Sequence, residues 1–409
     1  MKNYILIYAL LAFELLNAQT KDTINVAVFL YDGVELLDFS GPAEVFAASS
    51  YYTNSYHFNV YTVAKEPQLT SQGFLTITPN YNFNNSPKTD VLILPGGNAN
   101  DAINDSLTKK WIVKEIKNST DVLTVCSGIF FLKDPGFLED IKLTSHHKII
   151  PFLKQTFDPE DVVENVKYVD SGQIVTSAGV SSGIEGAFLT LSKIAGYEVA
   201  NRTARYMEYP YWHISNGKMT YSITSLASKF LANQNDKPKF GVLDVAGHIA
   251  LREKNLEEAI KYFQKNKSLY PSSALSYFSL ASAFKRINKW VPPVYEDFIN
   301  VLRNQGAKEA FKIFQKTKSV YPNWVLFTLK DITVRIDNLI NQKNYSEAEL
   351  VSKMAMDTYP ENSISYVQKI KILIELEKKI KAQKTLTLGL NKFPDNKELL
   401  TLQQKLNSK

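Results

Sequence analysis

Two short apolar runs, TDVLILPGG (89–97) and TDVLTVC (120–126), stand either side of the amphipathic stretch SLTKKWIVKEIKN (106–118). Near-continuous apolar strands need cover on both faces. Such strands separated by a helix argue for parallel pairing in one sheet. The same alternation fills residues 23–212. INVAVFLY (24–31), FNVYTVA (58–64) and FLTITP (74–79) read as strands, and GPAEVFAASS reads as a helix with Gly41-Pro42 at its start. VENVKYVD and QIVTSAG (163–179) read as a strand pair about Ser171-Gly172. SSGIEGAFLTLSKIAG and EVANRTARYMEY read as two closing helices. The expectation is an α/β domain with a mostly parallel sheet between helix layers.

The texture changes after about residue 235. NQNDKPK (233–239) reads as a polar linker, and beyond it the period is helical throughout. This part repeats itself: EEAIKYFQKNKSLYP (257–271), KEAFKIFQKTKSVYP (308–322), SEAELVSKMAMDTYP (346–360) and IKAQKTLTLGLNKFP (380–394). Ala259, Ala310, Ala348 and Ala382 each precede a proline by twelve positions. A small residue lets two antiparallel helices approach, and the proline ends the second one. The skeleton resembles the tetratricopeptide repeat. Its uneven early spacing places an insertion at Trp290 to Asn304. Such arrays imply a peptide or protein partner; the alternative is that the array merely packs on the first domain. The expected division is a signal peptide at 1–18, an α/β domain at 23–235 and helical repeats at 241–409.

Charge follows the same division. Residues 1–240 carry 20 Lys and Arg against 24 Asp and Glu, whereas residues 241–409 carry 27 against 17. The basic half reads as Lys-rich solvated helix faces or as a surface for an anionic partner. With 44% apolar and 22% charged residues, disordered and collagen-like chains are excluded. The chain opens MKNYILIYALLAFELLNAQTKD. Lys2, the apolar run 4–13 and Leu16-Asn17-Ala18 have the form of a cleaved export signal, with Glu14 the one discordant residue. The expected location is periplasmic or extracellular. No later stretch has the length and apolarity of a membrane span.

Cys126 is the single cysteine, so no disulfide can form within the chain. It falls where the strand VLTV meets SGIFFLK, the arrangement of a nucleophile elbow. A helix N-terminus there is expected to lower the thiol pKa. Backbone N–H groups would hold developing negative charge. A buried structural cysteine is the competing reading. Pro95-Gly96-Gly97 ends the neighbouring strand, where parallel sheets bind ligands. Asp38, after two leucines and before a helix, is expected to have a raised pKa and to partner the thiol, or else to cap the helix. His57, His147, His213 and His248 have no metal-ligand spacing, so neither a metal nor a cofactor is expected.

YDGVELLDFSGPAEVF, DVLILPGGNA, VCSGIFFL, LTSHH, VTSAGVSSGIEGA and ARYMEY together resemble the ThiJ/PfpI superfamily, of the class I glutamine amidotransferase-like fold. The likeness is nearest to its isonitrile hydratase branch and to the N-terminal domains of some AraC-type regulators. It implies a flavodoxin-like three-layer sandwich, usually a homodimer, followed here by the all-α tetratricopeptide-like domain. By matching position it implies Cys126 as nucleophile, Asp38 as acidic partner and Ser127 in place of a family Thr. It further implies an oxyanion site on Gly96, Gly97 and Ser127. His146 is either a catalytic base or an interface or strand-end residue. Glu185 replaces the Asp usual in its motif. The implied function is a cysteine-dependent hydratase, a lyase on a small electrophilic substrate. A cofactor-independent glyoxalase or deglycase and a non-catalytic ligand or redox sensor are the alternatives. The export signal and the absence of a helix-turn-helix argue against a nucleic-acid partner.

Overall fold

A computed structural model describes residues 22–50, 56–133, 136–232, 237–271, 273–293, 296–322 and 324–407. The export signal expected at 1–18 lies outside the described residues. Two compact units divide the chain at Leu269 and Tyr270.

In the first unit seven strands form one sheet: β1 (Asp22–Leu30), β2 (Tyr56–Ala64), β3 (Val91–Leu94), β4 (Asp121–Val125), β5 (Tyr168–Asp170), β6 (Ile174–Ser177) and β7 (Lys218–Met219). Their order is β2-β1-β3-β4-β6-β5-β7. Every pairing is parallel except β5 with β6, which turns about Ser171-Gly172 as the sequence predicts. β3 and β4 are buried at every position, which is why their sequences do not alternate. FLTITP contributes only Leu75–Ile77, which pairs with Leu69–Ser71 outside the main sheet.

The helices of this unit include α1 (Leu36–Ser49), α2 (Ser106–Asn118), α3 (Ser182–Ala195), α4 (Tyr197–Tyr206), α5 (Ile223–Ala232), α6 (Phe240–Arg252) and α7 (Leu256–Leu269). Helix α1 begins five residues before the expected Gly41 start and carries Pro42 inside it. The earlier start puts Asp38 in the first turn. Under the sheet, Lys193 is an ionic anchor. Its Nζ lies 2.9 Å from Asp170 Oδ1 and 3.7 Å from Asp121 Oδ1, and it donates to the Gly172 carbonyl at 2.6 Å.

The division between the units falls at Leu269 and Tyr270, beyond the linker expected at 233–239. Helix α6 packs against the end of α3 so closely that a Cβ on Gly241 would stand 2.1 Å from the Ser192 carbonyl oxygen. Asp244 accepts the Tyr197 N–H at 2.8 Å. Lys239 reaches Asp121 Oδ2 at 2.9 Å. Ala227, Leu243, Ala246 and Tyr262 form a common core under α5, α6 and α7. The first helix pair of the array therefore belongs to the α/β body.

The second unit is all helix: α8 (Ala274–Arg286), α9 (Glu296–Asn304), α10 (Gly306–Val320), α11 (Leu329–Asn341), α12 (Tyr345–Thr358), α13 (Ser363–Glu375), α14 (Lys379–Lys392) and α15 (Lys397–Asn407). Ala310, Ala348 and Ala382 are fully buried. Helices α10, α12 and α14 each end two residues before their proline. The tyrosine before the proline is used as well: Tyr321 donates to the Trp290 carbonyl and Tyr359 to that of Phe327. Helix α9 occupies the segment where the repeat spacing is irregular. Among the described residues no helix is long and apolar enough to cross a membrane.

Candidate active site at the end of strand β4

Cys126 follows β4 directly and adopts φ +56°, a left-handed conformation unusual for a residue with a side chain. The turn is held from both sides. The Cys126 N–H donates to the Ala178 carbonyl at 3.3 Å. The Ser145 hydroxyl donates to the Cys126 carbonyl at 2.7 Å. The next residues form a 3₁₀ turn, Cys126–Ile129, and then the short helix Phe130–Lys133. Gly128 makes the turn sterically feasible, because a Cβ there would lie 2.0 Å from the Leu94 carbonyl oxygen. Gly128→Ala is therefore expected to cost about 3 kcal/mol or more by forcing β3 and β4 apart. Thermal unfolding would show it as a lowered midpoint.

Asp38 is fully buried. Its Oδ2 accepts the Gly96 N–H at 3.0 Å, so it does not cap its own helix. Oδ1 makes no hydrogen bond of normal geometry, although the Cys126 thiol and the Val180 N–H face the carboxyl. Burial pushes the Asp38 pKa up to about 7, with the neighbouring Glu35 carboxylate adding to the rise. The expectation of a raised value in apolar ground is met.

The thiol departs from expectation. Its pKa is pushed up to about 11, first by burial, then by the Asp38 and Glu35 carboxylates. A single 3₁₀ turn and a four-residue helix supply little macrodipole to oppose these effects. Only the N–H and hydroxyl of Ser127 act in the lowering direction. Cys126 rests as a thiol beside a carboxyl that ionises near neutrality.

The glycine pair also has a different task from the one implied. The Gly96 N–H is engaged by Asp38. The Gly97 N–H donates to Ser127 Oγ at 3.0 Å, and that hydroxyl lies 3.2 Å from the Gly97 carbonyl. Both glycines position Asp38 and Ser127 rather than present free donors. The Ser127 backbone N–H, turned to the sulfur, remains the donor for developing charge.

His146 stands apart from this group. It makes no hydrogen bond or ion pair with Cys126 or Asp38; its Nδ1 accepts the Lys148 N–H at 3.3 Å. Its ring lines a cavity of ≈ 440 Å³ that neither Cys126 nor Asp38 lines. The 178–182 turn intervenes: Ala178 binds the Cys126 N–H while Gly179 packs on the imidazole. Tyr31 was not legible as a site residue. Its hydroxyl donates to the Pro95 carbonyl at 3.2 Å, bracing the glycine turn, and burial, then the neighbouring Asp38 and Cys126, push its own pKa up. Its place as the last aromatic residue of an apolar strand was the only available signal. Among the described residues no group of three His, Cys, Asp or Glu could hold a metal ion.

A parallel sheet with a cysteine on a strained turn, paired to a buried carboxyl, defines an α/β protein of the cysteine-elbow class. Residues 24–193 match the model of the DJ-1/PfpI family. An isonitrile hydratase from Pseudomonas putida is 26% identical over 191 residues, 46% of this chain and 78% of that protein. An uncharacterized protein encoded in the cpoL 5′ region of Streptomyces lividans is 30% identical over 123 residues, 30% of this chain and 86% of its own. The crystal structure of a ThiJ/PfpI family protein from Pseudomonas syringae aligns with a TM-score of 0.42 at 21% identity, over 63% of this chain and 94% of that one. The chain belongs to the DJ-1/PfpI family.

Proposed function

We propose that the α/β unit is a cysteine-dependent hydratase acting on a small electrophilic carbon, an isonitrile being the best-matched substrate. The observation that carries the reading is the Asp38–Cys126 pair: a base that ionises near pH 7 facing a thiol that does not. Asp38 takes the thiol proton as the sulfur bonds to the terminal carbon, and returns it to that carbon. The product is a thioimidate, R–N=CH–S–Cys. Water then adds to the same carbon, the C–S bond breaks, and the N-substituted formamide leaves as the thiol regains its proton. Nucleophilic and acid–base catalysis are both required. The likeness to the Pseudomonas putida isonitrile hydratase supports the choice of substrate. Formamide production from an alkyl isonitrile by the full chain tests it, and no turnover rejects it. The raised thiol pKa weighs against a thiolate at rest, and so against both a redox sensor and an unassisted nucleophile; the hydratase reading requires Asp38 to remove the proton as the sulfur attacks.

The α-helical repeats extend the reading to a tetratricopeptide-like docking array for a peptide or protein partner, supported by the alanine–proline skeleton and its helix ends. Export is the remaining part of the proposal. Mass spectrometry of the protein purified from its native host is expected to find a mature N-terminus near Gln19; a chain beginning at Met1 overturns it.

A further inference from the structure

Glu185 is the residue of the family-like motifs that the reaction does not use. It lies in the first turn of α3 and is only 2% exposed. Tyr209 donates to its Oε1 at 3.1 Å and the Asn216 amide to its Oε2 at 2.6 Å. Both donors are neutral. Among the described residues no Lys, Arg or His forms an ion pair with it. A helix N-terminus offsets part of its charge, yet buried carboxylates are normally paired with a cation.

The space beside it is large. Ala178, Ser182, Glu185, Tyr209, Tyr211 and Asn216 line a cavity of ≈ 730 Å³, within the range of small-molecule sites. The rings of Tyr209 and Tyr211 meet edge to face at 5.8 Å on its wall. Burial and the Glu185 carboxylate push the Tyr209 pKa up to about 12, so its hydroxyl remains a donor. Lys167 is the one cationic group lining the cavity; it is exposed and makes no ion pair there. An acid sharing a cavity wall with two aromatic rings suits a cation carrying an apolar body, which gains charge pairing and aromatic contact.

We propose that this cavity is a binding site for a small organic cation, an alkylammonium group carrying an apolar or aromatic body, with Glu185 as its counter-ion. The site is separate from the Cys126 group and does not depend on the hydratase reading.

Calorimetric titration of the full chain at neutral pH with benzylammonium, benzyl alcohol and benzoate tests it. Benzylammonium is expected to bind saturably, and the isosteric alcohol at least about tenfold more weakly. Glu185→Gln should lose the same factor, whereas Cys126→Ala should bind as the wild type does. Should Glu185→Gln fail to fold, Tyr211→Ala, at a residue 75% exposed, is expected to weaken benzylammonium severalfold. Equal affinity for the cation and the alcohol, preference for benzoate, or no saturable heat would overturn the proposal.

Discussion

Cys126→Ala is expected to abolish formamide production from an alkyl isonitrile, a loss of about a thousandfold or more, because no other group can form the covalent intermediate. The fold should be unaffected. Cys126 is half-buried on a turn held by the Ala178 and Ser145 hydrogen bonds, both of which involve its backbone. Removing one sulfur there should change stability by only about 1 kcal/mol. Equal turnover by the two proteins would refute the nucleophile. The same comparison with methylglyoxal tests the glyoxalase or deglycase alternative, since it also runs through the thiol.

Asp38→Asn should separate activity from stability. The amide oxygen can still accept the Gly96 N–H, so the geometry is kept. Loss of the base should lower turnover about 10²–10⁴-fold. Wild-type activity should rise as pH passes through about 7, where Asp38 ionises, and the variant should lose that limb. Stability moves the other way. The folded-state pKa lies above the reference of 3.8, so between those values the native state binds more protons than the unfolded chain. The stability of the wild type therefore falls as pH rises across that window, by an amount approaching ~4 kcal/mol for a shift of this size. Asparagine cannot ionise. The variant should melt above the wild type at pH 8 and close to it at pH 4. A variant that is less stable at both pH values would contradict a buried, reluctantly charged carboxyl.

Much of this arrangement is legible in residues alone. Uninterrupted apolar runs at Val91–Leu94 and Asp121–Val125 specify buried parallel strands. The alanine–proline interval specifies where helices approach and stop. Asp38 and Cys126 could be paired through the family-like motifs that carry them, one opening α1 and the other following β4. What escaped the sequence was set by tertiary approach. SGIFFLK has the composition of a longer helix, but it forms one 3₁₀ turn and a four-residue helix, so the thiol receives little help from a dipole. A backbone N–H carries no mark of its partner, and those of Gly96 and Gly97 are claimed by Asp38 and Ser127 only once two strands and a helix converge. His146 adjoins Ser145, which does touch the elbow, yet one residue's difference turns it to the other side of the 178–182 turn. The periodicity of Phe240–Arg252 matches that of the array behind it. Only the face it presents to Ser192 and Tyr197 assigns it elsewhere.

That last attachment has an evolutionary side. Because α6 is keyed into α3 through Gly241 and Asp244, the α/β body and the beginning of the array share one compact unit. Recombination at the polar linker would graft a ragged edge: a sheet domain stripped of its buttress, and a helical array missing its first pair. A cut after Leu269 would instead leave each unit with all of its own helices.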